Sequence, residues 1–327
     1  MTAQPDAAPT RRPGRAVVIG ATGLVGSALV RELLDHGWEV TATARDVRSA
    51  AWAAGALQGA HVATLVDALD GEAVGTLLRE CRPQVVINCV GLLTGTGAGA
   101  ARALGDANST VVAVALDACL RSDVGRAVVL GSGFEYAPAN HSLDERAPIG
   151  PTTLYGATKA AGSVVARYFR SVAGLDVCVA RPFNLYGPRE RRSGFVRYAV
   201  TSALAGRPIE MSTGTQARTY LYVDDLARGL VRIAGHEGQL PETLNFSGPA
   251  EHTLLDIATI VLEIVGSQAG LRAGARPENP GDRPVFLGDS QLALRVLGWR
   301  PAHDLRSGLG KTVSWYRDHR DLWEMPG

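Results

Sequence analysis

Cysteine is scarce. The 327-residue chain has four, Cys81, Cys89, Cys119 and Cys178, and none stands in C-x-x-C spacing. That excludes a disulfide scaffold and a thiolate metal site. Cys89 and Cys178 fall in apolar, strand-like runs, so buried free thiols in a reducing cytoplasm are expected. The seven His are scattered without an HxxxH or HxH pair, and no metal site is expected. An excess of one charge is also missing. Against 32 acidic residues stand 33 Lys and Arg, which removes a global basic field for nucleic acid or a membrane surface. No uninterrupted apolar run reaches the roughly eighteen residues of a membrane span, and Met1–Gly14 lacks the apolar centre of a signal peptide. This opening is rich in Ala and Pro and leads into Arg11-Arg12-Pro13-Gly14-Arg15, so residues 1–14 read as a disordered tail. What remains is 46% hydrophobic and 20% charged, an ordinary globular composition with length for one large domain or two smaller ones.

What is present is a rhythm. Arg15 to Gly20 reads as a short buried strand that runs into Ala21-Thr22-Gly23-Leu24-Val25-Gly26, followed by an amphipathic helix ending at Gly37. Glycines at 20, 23 and 26 gather backbone N–H groups and a positive helix end at one point, which suits a pyrophosphate. The spacing departs from GxGxxG, but its place between strand and helix supports the reading. Further strands are expected at 38–44, 61–67, 84–90, 126–130, 176–181 and 243–247, with a helix over 107–120. Strand and helix alternating in this way argue for an α/β fold with a doubly wound parallel sheet. Ligands in such sheets lie beyond the carboxyl ends of the strands, where Gly20, Ala44, Asp67, Val90 and Ser132 all sit. Where an acid would take the ribose 2′-hydroxyl stands Ala44, and Arg45 follows it. This favours NADP(H) over NAD(H), the alternative being a solvated Arg45 with Asp46 on the ribose.

Tyr155-Gly-Ala-Thr-Lys159 places a phenol and an ammonium on one face of a helix. At about 4 Å and an effective dielectric near 20, such a cation favours the phenolate by about 4 kcal/mol, or roughly 3 pKa units. That would bring the phenol into the range of general acid–base catalysis.

In order along the chain stand Gly20-Ala-Thr-Gly23-Leu-Val-Gly26, Asp67-Ala68-Leu-Asp70, Asn108, Ser132 and Tyr155-x-x-x-Lys159. Arg181-Pro-Phe-Asn184-Leu-Tyr-Gly-Pro188, Arg218-Thr-Tyr-Leu-Tyr-Val-Asp224-Asp225 and Leu297-Gly-Trp299-Arg-Pro301 follow. From about residue 15 to 320 the chain thereby resembles the extended short-chain dehydrogenase/reductase family, in its nucleotide-sugar epimerase, dehydratase and reductase branch. The resemblance implies a Ser132, Tyr155, Lys159 triad. Ser132 would hold the substrate oxygen, Tyr155 would exchange its proton, and Lys159 would bind the nicotinamide ribose while lowering the Tyr155 pKa. It implies a cofactor held by Gly20, Thr22, Gly23, Leu24, Val25, Gly26, Arg45, Asp67, Ala68 and Val90. Nucleotide-sugar contacts would come from Ser132, Gly133, Phe134, Asn184, Arg191, Arg218 and Arg283, with Arg189 and Arg192 near the base. Asp224 and Asp225 are expected to cap the helix 226–234.

The implied division is a cofactor-binding Rossmann domain over 15–182 with a returning segment at about 218–248. A substrate lobe would be formed by 183–217 and 249–327. Members with dehydratase activity carry acids just after the Ser/Thr, whereas here Gly133 and Phe134 follow Ser132 and Glu135 stands one place further on. The expected reaction is NADPH-dependent reduction of a nucleotide-activated 4-keto-6-deoxysugar. The alternatives are an NAD-dependent 4-epimerase, a dehydratase, or a non-catalytic NADP-binding regulator. A homodimer is also implied.

Overall fold

The computed structural model describes residues 13–94, 97–190, 194–278 and 282–323. Of the expected tail, residues 1–12 lie outside the described residues, as do Arg191 and Arg192.

Seven parallel strands make the central sheet: β1 (Arg15–Ile19), β2 (Glu39–Ala44), β3 (His61–Thr64), β4 (Val85–Asn88), β5 (Arg126–Leu130), β6 (Val177–Pro182) and β7 (Thr243–Phe246). Their spatial order is β7-β6-β5-β4-β1-β2-β3. The order reverses at β1, between β2 and β4, and in sheets of this kind the ligand crevice lies beyond the carboxyl ends at that point. β4 and β5 are buried along their whole length, as strands covered on both faces must be.

One face is covered by α1 (Leu24–Asp35) and α2 (Val47–Leu57), the other by α3 (Gly71–Cys81), α4 (Ala100–Arg121) and α5 (Leu154–Ser171). By length and composition α4 could cross a membrane, which a search for uninterrupted apolar runs does not register. Here Val111, Val112, Ala115 and Leu116 bury it against the sheet.

After β6 the chain leaves the sheet, forms α6 (Phe195–Leu204), and returns through α7 (Val223–Gly235). This helix packs with α1 on the first face, and β7 then extends the sheet beside β6. A separate apolar core joins α6 to α8 (Leu254–Val265) and α10 (Leu305–Asp318), while α9 (Gln291–Leu297) packs against the sheet-side core.

Asp224 and Asp225 do not cap α7, because the helix begins at Val223, with Tyr222 at its N-cap position. Asp224 pairs instead with Arg31 of α1 at 2.8 Å. Asp225, fully buried, accepts from Arg228 and from the ring and backbone N–H of His303, tying the segment before α10 to α7.

Candidate functional site

The glycine turn is shaped by close approach. Gly20 has φ +80, and a Cβ there would sit 3.0 Å from Val90 N at the end of β4. A Cβ on Gly26 would come within 2.3 Å of the Gly20 carbonyl oxygen, so only glycine lets α1 start this near β1. No side chain caps α1 and no acid lies in its first turn, leaving its terminal N–H groups facing the crevice. This cradle fits the pyrophosphate of a dinucleotide.

At the end of β2, Arg45 is exposed. Asp46 caps α2: its carboxylate accepts from Ser49 N at 2.7 Å, and that bond holds its pKa below the usual range. Asp67, also exposed, accepts from Leu69 N, and Asp70 caps α3.

Further along the crevice the triad comes together. Ser132 ends the chain's run out of β5, and its hydroxyl oxygen accepts from Phe134 N at 3.2 Å. The Ser132 side chain lies close enough to the Tyr155 hydroxyl to lower its pKa. Lys159, one turn further along α5, is buried and donates from Nζ to the Leu130 carbonyl at 2.9 Å. It reaches there past Gly91, where a Cβ would stand 3.1 Å from Nζ.

Behind the lysine, α4 contains a π turn at Asp106–Thr110. Within it the buried Asn108 side chain bonds both N and O of Leu92 and the Thr158 hydroxyl. A local widening of this kind commonly marks a functional site.

The electrostatics correct one expectation. Burial pushes the Tyr155 phenol up to about 12; the Ser132 hydrogen bond lowers it and the Glu135 carboxylate raises it. The expected lowering by Lys159 is not among these influences. The lysine is itself desolvated and sits at about 8, with Glu135 and Cys89 acting to raise it.

Glu135 is completely buried. Its oxygens accept from Ser132 N at 2.8 Å and from Arg181 at 2.8 and 2.9 Å. Arg181 also donates to the Tyr136 hydroxyl, which donates in turn to Asn245. No sequence motif announced this chain of bonds. The signal available was an arginine near the end of β6, in a run buried from Val177 to Arg181, where a charge requires a partner.

On the substrate side, Arg218 and Arg283 are both buried, at 5% and 4% exposure, and Asp282 pairs with Arg218. Arg283 bonds the Tyr136 carbonyl at 2.8 Å, while its Nε and Nη1 have no hydrogen-bond partner among the described residues. Burial and the Arg218 cation both lower its pKa. Two buried guanidinium groups with one carboxylate between them suit an added anion. Sequence reading found both arginines and missed Asp282 and Phe286. The ring of Phe286 lies 4.5 Å from that of Phe134.

Asn184 adopts φ 38, and its amide N–H groups donate to the carbonyls of Thr219 at 3.0 Å and Phe286 at 3.4 Å, so it pins neighbouring segments together. Arg189 lies over the Trp315 ring beside Gly55 of α2.

Residues 16–246 match the sequence profile of the NAD dependent epimerase/dehydratase family. The chain is 31% identical to a dTDP-glucose 4,6-dehydratase of Streptomyces antibioticus over 319 residues, covering 94% of each chain. It is 29% identical to a dTDP-4-dehydro-6-deoxy-D-allose reductase of Streptomyces bikiniensis, covering 94% of this chain and 98% of that protein. Among solved structures, the UDP-glucose 4-epimerase of Thermotoga maritima, determined with UDP-glucose, superimposes with a TM-score of 0.84. That match has 22% identity and covers 93% of this chain and 99% of the other, so it speaks to the fold. Three different reactions thus appear at similar distance. The chain belongs to the NAD dependent epimerase/dehydratase family and is an enzyme of its nucleotide-sugar dehydratase, epimerase and reductase type.

Proposed function

We propose that the protein is an NADPH-dependent ketoreductase acting on a nucleoside-diphosphate 4-keto-6-deoxyhexose. The observation that carries the reading is the fate of the acid nearest the triad. Glu135 is fastened to Arg181 and to Ser132 N, Gly133 has no side chain, and Phe134 has no proton to give. Elimination of water needs an acid or base beyond Tyr155, and none of the three residues after Ser132 offers a free one. Reduction needs only one proton at the oxygen.

When bound, the dinucleotide supplies the hydride. Tyr155 gives its hydroxyl proton to the carbonyl oxygen, and Ser132, already an acceptor from Phe134 N, has its own proton free to hydrogen-bond that oxygen. Lys159 holds a positive charge beneath the site. Arg218 and Arg283 take the diphosphate and fix the far end of the sugar.

The end of β2 supports NADPH over NADH. Asp46 is engaged as the cap of α2, so the ribose 2′ position meets Arg45 with no free acid beside it. An epimerase would retain NAD through purification. Denaturing the purified protein and identifying any released nucleotide separates the two: NAD released supports epimerisation. Consumption of free NADPH with a dTDP- or UDP-4-keto-6-deoxyhexose, followed by absorbance and mass, supports reduction.

A homodimer fits the outer face of α4 and α5, where Leu120, Val164, Tyr168 and Val172 are exposed. Sedimentation of the wild type and of Val164→Glu tests it, with loss of the dimer expected in the variant.

A further inference from the structure

Phe134 touches both Tyr155 and Arg283. Its ring is partly exposed and meets the ring of Tyr155 edge-on, with centroids 5.9 Å apart. It also packs on Phe286, and the Arg283 guanidinium lies 5.2 Å from its centroid. The side chain therefore runs between the proton donor and the cation suited to the diphosphate, along the flank of any sugar that bridges them. Its backbone is fixed as well: the Phe134 N–H donates to Ser132, and a Cβ on Gly156 would stand 2.3 Å from its carbonyl oxygen. The backbone that carries the ring cannot shift without moving the helix that carries Tyr155.

We infer that Phe134 selects the substrate, by requiring a deoxygenated exocyclic carbon next to the reacting one. An aromatic edge offers no hydrogen bond, so a hydroxyl pressed against it loses water and gains nothing. The flank of a hexose that carries the 2- and 3-hydroxyls needs polar partners. The flank with the ring oxygen and the exocyclic carbon faces the phenyl instead, and a methyl group fits there better than a hydroxymethyl or carboxylate. This inference rests on the nucleotide-sugar reading above and assigns its selectivity to one residue.

The test measures binding and turnover separately. Equilibrium affinity in the presence of NADP+ is compared for dTDP-6-deoxyglucose against dTDP-glucose, and for the UDP and galacto pairs. The rate of oxidation of the same sugars by NADP+ is then followed. The wild type should favour the 6-deoxy member of a pair by about tenfold to a hundredfold in affinity or kcat/KM. Phe134→Asn should bring that ratio to within about threefold of unity, and Phe134→Leu, still apolar, should keep most of it. Equal affinity of the wild type for both members overturns the inference while leaving the family's chemistry in place. So does a ratio that Phe134→Asn does not change. Failure to bind any nucleotide sugar removes the reading of function itself. Selective binding without turnover keeps Phe134's role and rejects only the reductase.

Discussion

Glu135 and Arg181 form an ion pair at 2.8 Å directly behind Ser132, with the glutamate wholly out of reach of solvent. The acid that sequence alone left available for elimination chemistry is thereby a structural member. Removing one partner leaves the other buried and unpaired. Glu135→Gln should therefore lower the unfolding free energy by roughly 3–5 kcal/mol in urea denaturation. The apolar double substitution Glu135→Leu, Arg181→Met should recover much of that loss. A Glu135→Gln protein of unchanged stability would show that the pair does not form.

Tyr155→Phe removes one oxygen and keeps the ring that packs against Phe134. Cofactor affinity, measured by fluorescence titration, should stay within about threefold, and kcat should fall by roughly 10²–10⁴. A variant with full activity would put the proton elsewhere.

Arg45→Ala tests the cofactor. Its guanidinium is the cation expected at the 2′ position, so the Kd for NADPH should rise at least about tenfold while that for NADH changes little. Equal loss for both would assign Arg45 to some other part of the dinucleotide.

The pH profile follows from Lys159. Burial holds its ammonium down to about 8, so the charge is present at neutral pH and is lost as pH rises through that value. Reductive kcat/KM should hold near pH 7 and then decline by about tenfold per unit above 8. Lys159→Arg keeps a cation at all these pH values and should flatten the decline, whatever its absolute rate. A wild-type profile level to pH 10 would detach the lysine from the proton step.

Much of the fold could be read in advance because its signals are local. Apolar runs such as Ala127 to Leu130 and Val177 to Ala180 mark strands, and Gly20, Gly23 and Gly26 mark the turn between strand and helix. The shared helix of Tyr155 and Lys159 was legible for the same reason, since residues four apart lie on one helix face. What escaped was set by contacts across long stretches of chain. Asp225 reads as a helix cap until His303, far along the sequence, is placed against it. The bonds from the Asn184 amide to the carbonyls of Thr219 and Phe286 join segments far apart in the chain, and no local pattern announces them. The direction of the Tyr155 shift was missed because desolvation depends on what is packed around the ring, which no spacing encodes.

Helix α5 touches its neighbours at two points where there is no room for even one more carbon: Gly156 against the Phe134 carbonyl and Gly162 against the Asn108 carbonyl, at 2.3 and 2.4 Å for an added Cβ. Tyr155 and Lys159 are thus indexed by backbone meeting backbone, like a key seated on two shoulders. Side chains beside that seat, Phe134 among them, can be exchanged without shifting it, so both residues keep their place over the sheet whatever stands in front of them.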